Sequence, residues 1–359
     1  MEVPLMSAPA AADPARRFTR VFLAVVVLGL TGSAAMALLV DPTATFGTGR
    51  IPSILTSERN DKPVAFRTID PPPQAVVFGS SRVMKLRPSC ITEITGLPAF
   101  NFGLSNAMVE DLTAAYRFIR ARGRAPLREL IIGLDVEVFD DRAEPDQRLH
   151  SAGELAAYLD DGAGLSFDTA TRGLFSWQAL RLAGSSLWAR LHPRGKPPSK
   201  VSYARDGFIT YDIMEAEMTA GTYSAKQRFA EMAAKLSARR GTRDFTELSE
   251  RRVARFRELM AAAHADGVTV DVFIPPLSAA MERILDTGAA HGRLAARRRE
   301  LDAVLAELDR AGQIHYLRVA RVEDFGGDPA GYFDGVHMTE ANASRLLLAM
   351  FHRSHGCGV

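Results

Sequence analysis

The chain has 359 residues, 47% of them hydrophobic, which is enough to bury a large core and argues against global disorder. Lys and Arg number 44 against 42 Asp and Glu, a balance that argues against nucleic acid as a partner. There is no P-loop, no G-x-G-x-x-G and no His/Cys cluster at metal spacing, so no nucleotide, metal or other cofactor is expected.

The first element is the charge-free, proline-free run Val21–Val40, preceded by Arg16, Arg17 and Arg20 and followed by Asp41-Pro42. At 1.5 Å per residue, about 20 residues cross a ~30 Å hydrocarbon core. We read residues 1–20 as a cytoplasmic tail and 21–40 as a single transmembrane anchor. The basic flank then leaves the rest of the chain outside the cytoplasm. The alternative is a cleaved signal peptide, with Ala35-Met36-Ala37 as a loose cleavage site. Residues 41–73, ending in Asp70-Pro-Pro-Pro, read as an extended linker, because proline lacks a donor and resists helix.

A domain over 74–359 follows. Ala75–Gly79 reads as a buried strand, and Arg82 opens what resembles an amphipathic helix. Pro98–Gly103 is a second strand, and Asn106–Arg122 a helix with Asn106 as a possible cap. Leu130–Leu134 is a third apolar strand. Strand and helix alternating in this way predict an α/β fold with a mainly parallel sheet covered on both faces. From 140 to 246 the pattern breaks into a looser, mostly helical insertion with no clear strand, containing the basic stretch His192–Lys200. It resumes with a helix over Asp244–Gly267 closed by that glycine, a strand over Val268–Pro276, a helix over Arg293–Ala311 and a strand over Ile314–Val319. A short C-terminal helix closes the chain. Cys90 and Cys357 read as two isolated thiols, with one bridge between them as the alternative.

Ligands of an open α/β sheet sit at the carboxyl ends of its strands. Ser80, Ser81, Gly103, Asn106, Asp135, Asp334 and His337 all lie on such loops. A serine at a helix start has a bland role as a cap. It also has a reactive one, once a base takes its proton and a carboxylate orients that base. Asp334-Gly335-Val336-His337 supplies both in one turn. Arg82 reads as an exposed first-turn cation that could alternatively hold an anionic group.

These motifs, Gly79-Ser80-Ser81, Gly103 in Asn101-Phe-Gly-Leu-Ser-Asn106 and Asp334-x-x-His337, resemble the blocks of the SGNH (GDSL-like) hydrolase superfamily. With Asp41-Pro42 after the anchor, and with "IIGLDVEVF" and "VFIPPL", the chain looks like that superfamily's membrane-anchored bacterial branch. This is the branch of the extracytoplasmic proteins of alginate acetylation and teichoic-acid D-alanylation. The resemblance covers roughly residues 74–139 and 246–352. It implies a three-layer, flavodoxin-like sandwich at a bacterial inner membrane, with Ser81 as nucleophile, His337 as base and Asp334 as its orienter. Ser80, Arg82, Gly103, Asn106 and Asp135 would line the oxyanion and substrate site. It also implies acyl transfer to an envelope or exopolysaccharide with a membrane acyl-carrier partner. The alternatives are a carboxylesterase or deacetylase, or a non-catalytic assembly factor. One departure is that Asp135 stands where the third block has asparagine, and a carboxylate cannot donate to an oxyanion unless protonated.

Overall fold

The computed structural model describes residues 14–41, 46, 48, 58–140, 142–143, 149, 154–159, 171, 173–192, 202–238, 247–287 and 293–359. The expectations for the tail before residue 14, for most of 42–57 and for the basic stretch beyond His192 lie outside the described residues. The chain divides into two units, Met1–Leu55 with Leu165–Lys196, and Thr56–Gly164 with Pro197–Val359.

In the first unit, helix α1 (Pro14–Val40) is unbroken through the apolar run. Among the described residues it is the one helix long and apolar enough to cross a bilayer, as an anchor or a signal sequence would be. In the second unit the chain departs from the extended linker expected. The supposed extended linker contains helix α2 (Glu58–Thr68), with Pro63 inside it. Its buried face holds Arg59, Lys62 and Phe66. Arg59 Nε meets Asp111 Oδ1 at 2.7 Å, and Lys62 Nζ donates to the carbonyls of Asn101 and Gly103 at 2.9 and 2.7 Å. These tertiary bonds offset the hydrogen bond that proline removes.

Strand β1 (Ala75–Gly79), helix α3 (Pro88–Thr95), strand β2 (Ala99–Asn101), helix α4 (Val109–Arg122) and strand β3 (Glu129–Gly133) follow. Helix α4 starts later than expected. Asn106 sits in a left-handed turn at φ 51°, and the cap position falls to Met108, whose N–H donates to Asp111 Oδ2 at 2.9 Å. The insertion holds helix α5 (Trp177–Leu191), which belongs to the first unit, and then a two-stranded hairpin that periodicity did not reveal. Its strands, β4 (Ser202–Tyr203) and β5 (Ile209–Thr210), are only two residues long, too short to show alternation. Helices α6 (Asp212–Thr219) and α7 (Ala225–Ala238) complete it.

Helix α8 (Glu250–Ala265) is capped by Ser249, whose hydroxyl accepts from Arg252 N, and it is followed by left-handed Gly267. Strand β6 (Thr269–Phe273), helices α9 (Ala279–Thr287) and α10 (Arg293–Arg310), strand β7 (His315–Leu317) and helix α11 (Glu340–Met350) end the chain. The sheet order is β2-β1-β3-β6-β7, and every pair is parallel. Alternate residues feed two separate cores. Val76, Phe78, Leu130, Ile132, Val270 and Val272 pack with α4, α8 and α10. Ala75, Val77, Ile131 and Phe273 pack with α3 and α11. Strand order reverses between β1 and β3, which opens a crevice at their carboxyl ends.

The cysteines are bridged, Cys90 to Cys357, against the reading of isolated thiols. Because α3 and α11 share one core, the tail after α11 returns to α3, where Cys357 N also donates to Glu93 Oε1 at 3.1 Å.

Candidate active site

The tight turn after β1 depends on two glycines facing each other in register, Gly79 and Gly133. Gly79 has φ 141°, and a Cβ there would lie 2.5 Å from the Gly133 carbonyl oxygen. A Cβ on Gly133 would lie 2.2 Å from Val83 Cγ1. The space lets Val83 drop against the strand ends. Ser80 acts as the cap: its Oγ accepts from Arg82 N at 3.2 Å. The helix it starts is a single 3-10 turn, Ser81–Val83, not the amphipathic helix expected. The buried Asn101 amide donates to the carbonyls of Val83 and Leu86, both at 2.9 Å, and ties the chain into a loop before Pro88.

At the other end of the sequence, residues 332–338 form a tight loop closed by a Tyr332–Met338 bridge and by Phe333 N donating to the His337 carbonyl at 2.9 Å. Gly335, at φ 83°, turns it where a Cβ would lie 2.7 Å from Phe229. Asp334 uses one oxygen to build the loop, since Oδ1 accepts from Val336 N and His337 N at 3.0 and 2.9 Å. Its Oδ2 is 2.8 Å from His337 Nδ1. Burial pushes the Asp334 carboxyl up, but the His337 ring and the two backbone donors outweigh it and hold the pKa below the usual carboxylate value.

The two ends of the domain meet. Ser81 Oγ lies 2.8 Å from His337 Nε2 across 256 positions of sequence. With the far ring nitrogen held by Asp334, the Nδ1–H tautomer is favoured, and Nε2 is left to accept the serine proton. This is the arrangement that can deprotonate a hydroxyl, and a cavity of about 540 Å³ opens onto it.

The other expected residues separate into two groups. Ser80, Arg82, Asn106 and Asp135 line the cavity with Ser81 and His337. Arg82 is not an exposed cation: its side chain is 10% exposed and lies 3.2 Å from Asp135 and 3.3 Å from Glu137. Burial raises the Asp135 pKa, Arg82 opposes the rise and Glu137 adds to it. Gly103 departs from expectation. It is buried, its N–H is taken by Asn101 Oδ1 at 2.9 Å, and its carbonyl by Lys62, so it has no donor for an oxyanion. The Ser81 N–H has no acceptor among the described residues.

Sequence reasoning missed three contributors. Glu58 reaches the cavity from α2, and its Oε1 accepts from Ser105 Oγ and the Tyr203 hydroxyl at 2.7 and 2.6 Å. Glu137 lies two positions beyond Asp135 and reaches Arg82 from the turn after β3. Tyr211, from the insertion, packs edge-on against Phe333 and His337 with ring centroids 5.2 and 6.0 Å apart. Its hydroxyl is buried with no hydrogen-bond partner among the described residues. Burial, then Asp334 and Glu215, push its pKa up, so it remains a neutral donor. Only Glu137, by its proximity to Asp135, left any local signal. Among the described residues no group of three or more His, Cys, Asp or Glu is arranged to hold a metal.

Comparison with protein-family models matches none of them, and comparison with curated proteins finds no match.

Proposed function

We propose that the chain is a membrane-anchored serine enzyme of the SGNH type, with a three-layer α/β/α catalytic domain outside the cytoplasm, that transfers an acyl group to a carbohydrate hydroxyl. The observation that carries this reading is the continuous Ser81–His337–Asp334 relay, with both contacts at 2.8 Å. Ser81 Oγ attacks the carbonyl of an acyl donor while its proton passes to His337 Nε2. Asp334 Oδ2 stabilises the imidazolium that forms. The tetrahedral intermediate collapses, His337 returns the proton to the leaving group, and the acyl group remains as an ester on Ser81. An acceptor hydroxyl then gives its proton to His337 and takes the acyl group, which regenerates Ser81.

The Ser81 N–H is the backbone donor at the oxyanion, and the Arg82 and Tyr211 side chains line the same cavity, the Tyr211 hydroxyl itself being buried. Gly103 supplies nothing, and loss of one oxyanion donor typically costs about 10²–10³ in rate. That deficit points to slow turnover, whichever acceptor takes the acyl group. The carbohydrate acceptor, the acyl-carrier partner and the inner-membrane location are supported by the family resemblance and by the apolar α1.

The test is acylation of the purified full-length protein by 4-nitrophenyl acetate, followed by mass spectrometry of the Ser81 peptide. The expected result is a burst with acetyl on Ser81, absent in Ser81→Ala and His337→Ala, with turnover accelerated by an oligosaccharide acceptor. Turnover unaffected by the acceptor would make the enzyme an esterase. An intact burst in Ser81→Ala would refute the serine mechanism.

A further inference from the structure

Helix α5 takes no part in the chemistry above, yet it carries both tryptophans of the chain, Trp177 and Trp188. Within its unit it packs against α1. Residues 15–32 of α1 are exposed, and burial begins at Ser33 and includes Ala37 and Val40. At this level Ser33 Oγ donates to the carbonyl of Leu174, just ahead of α5, at 2.9 Å. The inward face of α5 is Ala179, Ala183 and Ser186, all nearly inaccessible. Ser33, Ala37 and Val40 repeat the same i, i+4, i+7 spacing on α1. Small residues at this spacing let two helices approach closely, the mode of packing found within bilayers.

The outward face is of the opposite kind. Trp177 is 78% exposed, Trp188 65% and Leu191 65%, with Phe175 also exposed just ahead of the helix. Arg181 and Ser185 lie between the two indoles. Exposed apolar patches bordered by polar groups mark contact surfaces, and their depth relative to α1 indicates the occupant. The charge-free run from Val21 to Val40 matches a ~30 Å core, which sets Val40 at the outer rim. Ser33 precedes it by 40 − 33 = 7 positions, so it lies about 10 Å inside, and Leu174 lies at the same level. Apolar helix faces at a membrane surface reach about 5–10 Å into the headgroup–acyl boundary, and indoles are enriched at the headgroup level just outside it. Arg181 and Arg190 have stems long enough to carry their charges back to the headgroups.

We infer that α5 is a second membrane element, packed along the anchor with its N-terminal end in the outer half of the bilayer. Trp177, Trp188, Phe175 and Leu191 contact lipid acyl chains. The inference rests on α1 being a membrane span.

The experiment uses the natural full-length chain in phosphatidylcholine–phosphatidylglycerol vesicles, with lipids brominated near the headgroup end or near the methyl end of the acyl chain. Because the two α5 tryptophans are the only ones, their emission reports this helix alone. We expect a blue-shifted emission that loses about half its intensity or more to shallow bromines and less to deep ones. A parallel Trp177→Phe, Trp188→Phe protein carrying Leu28→Trp reports α1. Quenching at position 28 without quenching of the natural tryptophans would overturn the α5 proposal and leave the anchor standing. If iodide in water then quenches the tryptophans, the face is in solvent; if neither agent does, a protein covers it. No quenching at either place would overturn both readings together.

Discussion

Replacing Asp334 by asparagine tests the relay with little disturbance of the loop that holds it. Oδ1 accepts two backbone N–H groups, from Val336 and His337, at 3.0 and 2.9 Å. An asparagine carbonyl can keep both bonds, whereas a flipped amide would point its NH2 at two donors. The NH2 must therefore occupy the position of Oδ2, 2.8 Å from His337 Nδ1. Facing a donor, Nδ1 becomes the acceptor and the ring proton moves to Nε2, the atom that lies 2.8 Å from Ser81 Oγ. A base that already carries its proton cannot take another from serine. The loss expected for such a wrong tautomer is about 10⁴ in rate, or ~5.5 kcal/mol of transition-state stabilisation. Stability should fall by only about 1 kcal/mol, because the turn-building bonds persist. The assay is the 4-nitrophenolate burst rate of detergent-solubilised full-length protein, with urea unfolding as the fold control. Asp334→Ala, which loses all three bonds, should be measurably less stable than Asp334→Asn. A folded Asp334→Asn protein acylating within about tenfold of the natural rate would refute the relay.

Arg82→Gln leaves Asp135 without its buried cation and should cost about 3–5 kcal/mol in urea unfolding, part of it recovered by adding Asp135→Asn; equal stability of the single variant and the natural protein would refute the pairing. At the opposite end of the sheet, burial, with Asp271 beside it, pushes the Glu129 carboxyl up to about 9. Folded Glu129 therefore keeps its proton through a pH range where the unfolded chain has lost it above 4.5, and stability falls as pH rises through that window. Glu129→Gln should remove a slope of ~1.4 kcal/mol per pH unit between about pH 5 and 7, read from urea midpoints; parallel pH profiles would refute it. Reducing Cys90–Cys357, which closes a separation of 267 positions, should lower stability by about 2–4 kcal/mol, and Cys90→Ser with Cys357→Ser should be insensitive to reductant.

The parts of this fold that could be read in advance are those whose environment is uniform along one element. The strands Ala75–Gly79 and Glu129–Gly133 are buried on both faces, so Ala75–Gly79 and Leu130–Gly133 appear as unbroken apolar runs. Helix α8 shows its terminal Gly267 in the right place, but its start, expected earlier in the chain, falls at the cap Ser249. Helix α2 was illegible because its buried face is Arg59, Lys62 and Phe66, helical spacing on which two of the three residues are charged, with a proline among them. The hairpin β4–β5 was illegible because two-residue strands are fixed by their partners. Ile209 and Tyr211 share a small core with Met84 and Phe333, which lie far away in sequence.

The sequence by itself determined the chemistry available: a serine after a strand, an aspartate and histidine in one glycine-turned loop, and a helix-length run without charge. Local rules suffice for these, since caps, turns and periodicity act over a few residues. Only the tertiary structure decided which groups meet. It brought Ser81 to His337, turned Gly103 away by spending its N–H on Asn101, buried Arg82 between two carboxylates, and delivered Glu58 and Tyr211 from segments read as linker and insertion. Each of those outcomes depends on which surface is buried against which, a property of the whole packed chain that no short window of residues contains.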